Sequence, residues 1–162
     1  MKRIRTILHP TDFSPGSDVA FRYACDLAQD YDAKVLVVYA QGPVIPFGAD
    51  GVVISPDMDE LRAVAEQQLA GIRPADSAVR LERVYRDGPA AGVILDVAAE
   101  AKADLIVMGT HGRTGIGRLF LGSVAEEVLR KAPCPVLTVK ATAPPATNKP
   151  AGKAKAAAAA GV

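Results

Sequence analysis

Runs of branched aliphatic residues alternate along the chain with segments in which apolar residues return every three or four positions. Arg3 to His9 holds Ile4, Ile7 and Leu8 and halts at Pro10, which has no amide hydrogen to donate, so a short first strand is predicted there. Ser14-Pro15 gives a side-chain cap followed by proline at the first helical position. Ala20, Tyr23, Ala24, Leu27, Ala28 and Tyr31 then follow at helical spacing, and this helix ends near Asp32. Lys34 to Ala40 reads KVLVVYA without polar alternation, the mark of a strand covered on both faces. A second Ser-Pro pair, Ser55-Pro56, opens a helix with Met58, Leu61, Ala65, Leu69 and Ile72 on one face, interrupted only by Gln68. Val79 to Arg86 gives a third strand, and Gly88-Pro89 starts a third helix with Ile94, Val97, Ala98 and Ala101 inward. Asp104 to Met108 is a fourth strand. Ser123-Val-Ala-Glu126 reads as a capping box opening a fourth helix through Val124, Val128 and Leu129, and Cys134 to Lys140 is the last strand.

Strict alternation of strands and helices with mostly short connections predicts an α/β fold, a doubly wound five-stranded parallel sheet with right-handed crossovers and helices on both faces. Ligands in such folds bind beyond the carboxyl ends of strands, where the strand order reverses. The segments after the first and fourth strands are therefore the candidate sites. The Gln41 to Ser55 stretch carries Pro43, Pro46, Gly42, Gly48 and Gly51 and no sustained period, so it reads as a long loop, a length more often functional than accidental.

Composition sharpens this picture. The chain has 162 residues, enough for one domain with a buried core. From Ala141 onward it changes to ATAPPATNKPAGKAKAAAAAGV, without acidic or aromatic residues, and is expected to be a solvated, disordered tail, leaving 1–140 as the folded domain. The formal charge is +1, so nothing in the overall balance points to nucleic acid or an anionic membrane. No run approaches the roughly 18 to 20 apolar residues of a bilayer span, and the first residues do not resemble a signal peptide. Cys25 and Cys134 are too few for a disulfide scaffold and read as small apolar residues, which suits a reducing, cytoplasmic compartment.

The stretch from Gly109 to Ser123, GTHGRTGIGRLFLGS, is the most informative in the chain. Glycines let backbone amides approach an anion closely, and a helix opening at Ser123 directs unsatisfied amides and the positive end of its dipole at the same point, which suits phosphate. It is not a Walker loop, because Gly112 and Gly117 are followed by Arg118-Leu119 rather than Lys and Ser/Thr. Nor is it the dinucleotide fingerprint, because Gly115-Ile-Gly117 leads to Phe120 where glycine is required.

Gly109, Gly112, Gly122 and Ser123 match the spacing GxxG, nine residues, then G[ST], which resembles the ATP-binding motif of the universal stress protein family. ILHPTDFS from Ile7 to Ser14, LIVMGTHG from Leu105 to Gly112 and PCPVLTV from Pro133 to Val139 carry the same resemblance, so it covers Arg3 to Lys140. It implies an adenine-nucleotide α-hydrolase-like fold with strand order 3-2-1-4-5, and a homodimer.

The resemblance further implies that Asp12, following Pro10 and Thr11, receives the ribose hydroxyls, while the backbone at Thr11 and Ala40 holds the adenine. Phosphates would lie on Gly109, Gly112, Gly122, Ser123 and the Val124 amide, with Arg113 near them, and Met108 and His111 are counted with the nucleotide-binding residues. ATP is the implied cofactor, with Mg²⁺ held mainly by the phosphates. Read on the residues alone, Asp12 is also compatible with a turn before the Ser14 cap, and Ser123 with an ordinary helix cap. His111 has no titratable companion in its loop except arginines, so no catalytic constellation is assigned. The expected function is a nucleotide-binding stress-response module whose occupancy alters conformation or partners. The alternative is a slow Mg-dependent ATPase or phosphotransferase. In the order 3-2-1-4-5 the last strand is an edge, and Val136, Leu137, Thr138 and Val139 carry no charge to protect it, so pairing of two such edges is the expected dimer contact.

Overall fold

The computed structural model describes residues 3–43, 57–110 and 122–140. The Gln41 to Ser55 loop beyond Pro43, most of the glycine-rich stretch with His111, Gly112 and Arg113, and the tail from Ala141 lie outside them. Within the described residues the order is β1 (Thr6–Thr11), α1 (Pro15–Tyr31), β2 (Lys34–Gln41), α2 (Met58–Gly71), β3 (Arg80–Asp87), α3 (Ala90–Glu100), β4 (Leu105–Gly109), α4 (Ser123–Lys131) and β5 (Val136–Val139). All pairings are parallel, in the order β3-β2-β1-β4-β5.

Alternating side chains of the central strands feed two cores, one on each face of the sheet. Ile7, Val35, Val37, Tyr39 and Val107 pack with Ala20, Ala24 and Ala28 of α1 and Ala65 and Leu69 of α2. Leu8, Leu36, Val38, Ile106 and Met108 pack with Ile94, Val97 and Ala98 of α3 and Ala125 and Val128 of α4. The two-sided burial of β2 is the reason its sequence shows no alternation.

The first strand does not stop at Pro10: β1 runs through it to Thr11 and pairs with β2 along its whole length. The Lys34 amide donates to the Arg5 carbonyl on the β2 side, and the Asp104 amide to the Thr6 carbonyl on the β4 side, so alternation turns the Pro10 nitrogen toward β4. There the ladder covers only Ile7 and Leu8, and a missing donor costs nothing further along. The Val107 carbonyl, which a continuing ladder would have paired with residue 10, instead accepts from Nδ1 of His9 at 2.9 Å.

Two caps also differ from expectation. Asp57, not Ser55, caps α2, its carboxylate accepting from the Asp59 and Glu60 amides. The N-cap of α4 is Gly122, with Ser123 already helical and the Glu126 amide bonded to the Gly122 carbonyl, so the Ser123–Glu126 capping box does not form. On α1, Ser14 caps as expected, but Tyr23 and Tyr31 are exposed, as is Leu129 on α4, because the faces set by Ala20, Ala24 and Ala28 and by Ala125 and Val128 leave them outside the contact stripe.

Candidate functional site

Pro10, Thr11, Asp12, Ala40, Met108, Gly109, Gly122, Ser123 and Val124 all line one cavity of about 360 Å³ at the carboxyl ends of β1, β2 and β4. The strand order reverses here, since β1 has β2 on one side and β4 on the other. The volume lies in the range of small-molecule sites, about 300 to 1,000 Å³. The wall also includes Ser17, Val38, Tyr39, Ala90, Ile94, Thr110 and Ala125, which sequence reasoning did not assign to the site. Ile94 carried a signal only as an inward-facing residue of α3. That its first turns lean over the end of β2 is decided by packing.

The lining combines a carboxylate with hydrogen-bond donors. Asp12 is held by its neighbours: its Oδ1 accepts from the Ser14 amide at 3.1 Å and the Ser14 hydroxyl at 2.6 Å, while Ser14 Oγ accepts from the Ser17 amide. The first turn of α4 lines the same cavity. The Gly122 amide donates to the Thr110 carbonyl at 2.9 Å, which ties the start of the helix to the end of β4. It is therefore engaged within the protein, and the donors of this corner are the amides of Ser123, Val124 and Ala125, which have no intrahelical acceptor. With no capping role, the Ser123 hydroxyl does not have to choose between the helix and a ligand. Val38, Ile94 and Met108 add an apolar part to the lining.

His9, Thr11 and Ser17 form a buried polar chain. Ser17 Oγ is 3.0 Å from Thr11 Oγ1 and 3.3 Å from His9 Nε2, and Thr11 Oγ1 accepts from the Phe13 amide. His9 Nδ1 donates to Val107, so Nε2 accepts, and the single Ser17 proton goes to it. Thr11 accordingly donates to Ser17, and every member is satisfied. Burial holds the His9 ring neutral, with its pKa lowered to about 4, although the bond to the Val107 carbonyl and the charge of Asp12 act in the opposite direction. His9 is thus structural.

Among the described residues no group of three or more His, Cys, Asp or Glu side chains is placed to hold a metal ion, and no helix is long and apolar enough to cross a membrane. His111, Gly112 and Arg113 lie outside the described residues, so their places relative to the cavity are not assigned.

Comparison with known proteins agrees with this architecture. Residues 3–140 match the model of the universal stress protein family. A universal stress protein of Methanocaldococcus jannaschii is 37% identical over 142 residues, covering 84% of this chain and 82% of its own. The solved universal stress protein UspA of Lactobacillus plantarum is 25% identical with a TM-score of 0.65, over 86% of this chain and 99% of that one. A crystallised universal stress protein in complex with cAMP is 29% identical with a TM-score of 0.57, over 85% and 98% of the two chains. The family match runs from the first strand to the last, over residues 3–140, and leaves one assignment: this chain belongs to the universal stress protein family.

Proposed function

We propose that the cavity binds an adenine nucleotide, ATP in the favoured form, and that its occupancy alters the conformation or partners of a stress-response module. The observation that carries the reading is that one cavity is lined by a fixed carboxylate, by the donor-rich start of α4 and by apolar side chains. A carboxylate accepts from ribose hydroxyls, backbone amides donate to phosphate oxygens, and an apolar wall suits a base. Asp12 would take the ribose, the backbone at Thr11 and Ala40 the adenine, and Ser123, Val124 and Gly109 the phosphates. His111, Gly112 and Arg113 complete the phosphate end in this reading. Complex formation of a relative with cAMP supports the choice of ligand class. Mg²⁺ would enter with the nucleotide, carried mainly by its phosphates, since the described side chains offer no acidic cluster of their own.

Mass spectrometry of ligand released from the purified chain tests the proposal directly. An adenine nucleotide is expected, and a chain that neither carries nor binds one in calorimetry refutes it. We further propose a homodimer formed by antiparallel pairing of two β5 edges. The register supports it: the carbonyl of Pro135 accepts from Ile106 and that of Val139 from Thr110, just past β4, so the amides and carbonyls of Val136 and Thr138 point away from the sheet.

A further inference from the structure

We propose that Phe13 is a positioning residue for the cavity: its ring, stacked on Tyr39, holds the backbone turn that aims the Asp12 carboxylate at the ribose hydroxyls of a nucleoside. The proposal rests on the nucleotide reading above and adds to it a residue that touches no ligand. Among the described residues three non-glycine positions have positive φ: Phe13 at 61°, Asp32 at 50° and Lys102 at 50°. Asp32 and Lys102 have an ordinary reason. They follow α1 and α3, where a left-handed residue ends a helix, and the Asp32 amide bonds back to the Ala28 and Gln29 carbonyls. Phe13 precedes a helix instead. A bulky aromatic residue persists in this region only where its surroundings over-determine it, and such positions concentrate at ligand sites.

Those surroundings are specific. The Phe13 ring lies 4.7 Å from the Tyr39 ring at an interplanar angle of 27°, and Tyr39 in turn lies 6.0 Å from Tyr85. Tyr39 is buried near the carboxyl end of β2, paired with Thr11 of the central strand, so the stack anchors the turn to the sheet. The Phe13 amide donates to Thr11 Oγ1, and the reversal brings both the amide and the hydroxyl of Ser14 onto Asp12 Oδ1. These bonds fix the rotation of the carboxylate. Asp12 and Tyr39 line the cavity, whereas Phe13 does not, so its effect on a ligand passes through Asp12.

The test is titration calorimetry of the full chain with adenosine and with 2′,3′-dideoxyadenosine. In the parent chain adenosine is expected to bind about tenfold more tightly, the worth of a hydrogen bond to a charged acceptor. Phe13→Ala should leave the dideoxy compound unaffected and lose most of that ratio, while Phe13→Tyr, which keeps the ring, retains it. Phe13→Gly accepts positive φ without steric cost but has no ring, so it should also lose the ratio and covers the case in which Phe13→Ala fails to fold. A parental ratio in a folded Phe13→Ala or Phe13→Gly variant, or its loss in Phe13→Tyr, overturns the role of the ring while leaving the nucleotide site standing. A parent chain that binds neither compound overturns the nucleotide reading and this proposal together, and the two failures are told apart by whether the parent or the variant departs from expectation.

Discussion

His9 makes the stability of this fold depend on pH in a way that can be isolated. Its ring is 0% exposed, donates from Nδ1 to the Val107 carbonyl and accepts at Nε2 from Ser17, so the folded chain admits only the neutral form until the pH falls to about 4. In the unfolded chain the same ring protonates around 6.5. Because the folded pKa is depressed, the unfolded state binds more protons in between. The stabilisation is fully present above pH 6.5, drains as the pH falls, and is exhausted near pH 4. The gap between those values corresponds to about 3 kcal/mol. His9→Asn removes the titration while placing an amide donor near the position of Nδ1. It loses the ring packed 5.5 Å from Phe21, so the variant starts less stable, but that loss is the same at every pH. Urea unfolding of both proteins at pH 7, 5.5 and 4.5 should show the parent losing stability faster than the variant, with the difference between them shrinking by about 2 kcal/mol or more over this range. Parallel stability curves for parent and variant would show that the buried imidazole does not resist protonation.

Gly88 has φ of 139°, and a β-carbon there would meet Val93 Cγ2 at 3.1 Å, so Gly88→Ala should destabilise the chain by about 1 to 3 kcal/mol in thermal or urea unfolding. A change below about 0.5 kcal/mol would mean that the turn between β3 and α3 relaxes freely. At the proposed dimer edge the two obvious proline substitutions are not equivalent. Thr138→Pro removes an outward-facing amide and should give folded monomers in sedimentation, whereas Leu137→Pro removes an amide facing β4 and should destabilise the fold itself. A dimeric Thr138→Pro variant, or a monomeric parent at micromolar concentration, would exclude this contact. In calorimetry, Asp12→Ala should weaken ATP and adenosine alike, and Arg113→Ala should weaken ATP far more than adenosine. Equal losses for Arg113→Ala would remove it from the phosphate end.

The amino-acid sequence alone determined the order of elements and the class of fold, because burial on two faces leaves unalternating strands such as Lys34 to Ala40 and one-sided helices such as that from Pro15. It also singled out Asp12 and the segment reaching Ser123, since an acidic residue after the first strand and glycines before a helix are local features. What it could not reveal depends on partners distant in the chain. Whether Pro10 ends a strand is settled by how far β4 extends beside it, and the orphaned Val107 carbonyl by a histidine nearly a hundred positions away. The capping box at Ser123 had the right letters, yet the Gly122 amide is tied to Thr110 and the helix begins one residue earlier, so the cap falls on a glycine. Tyr23 and Leu129 sit on helical spacing and are exposed all the same, because a small-residue stripe brings each helix close to the sheet and leaves its flanks outside. The turn at Phe13 is the clearest case. No local preference puts a phenylalanine at positive φ, and of the contacts it makes there, the stack on Tyr39 and the hydrogen bond from its amide to Thr11, the stack depends on the pairing of β1 with β2, which brings Tyr39 alongside.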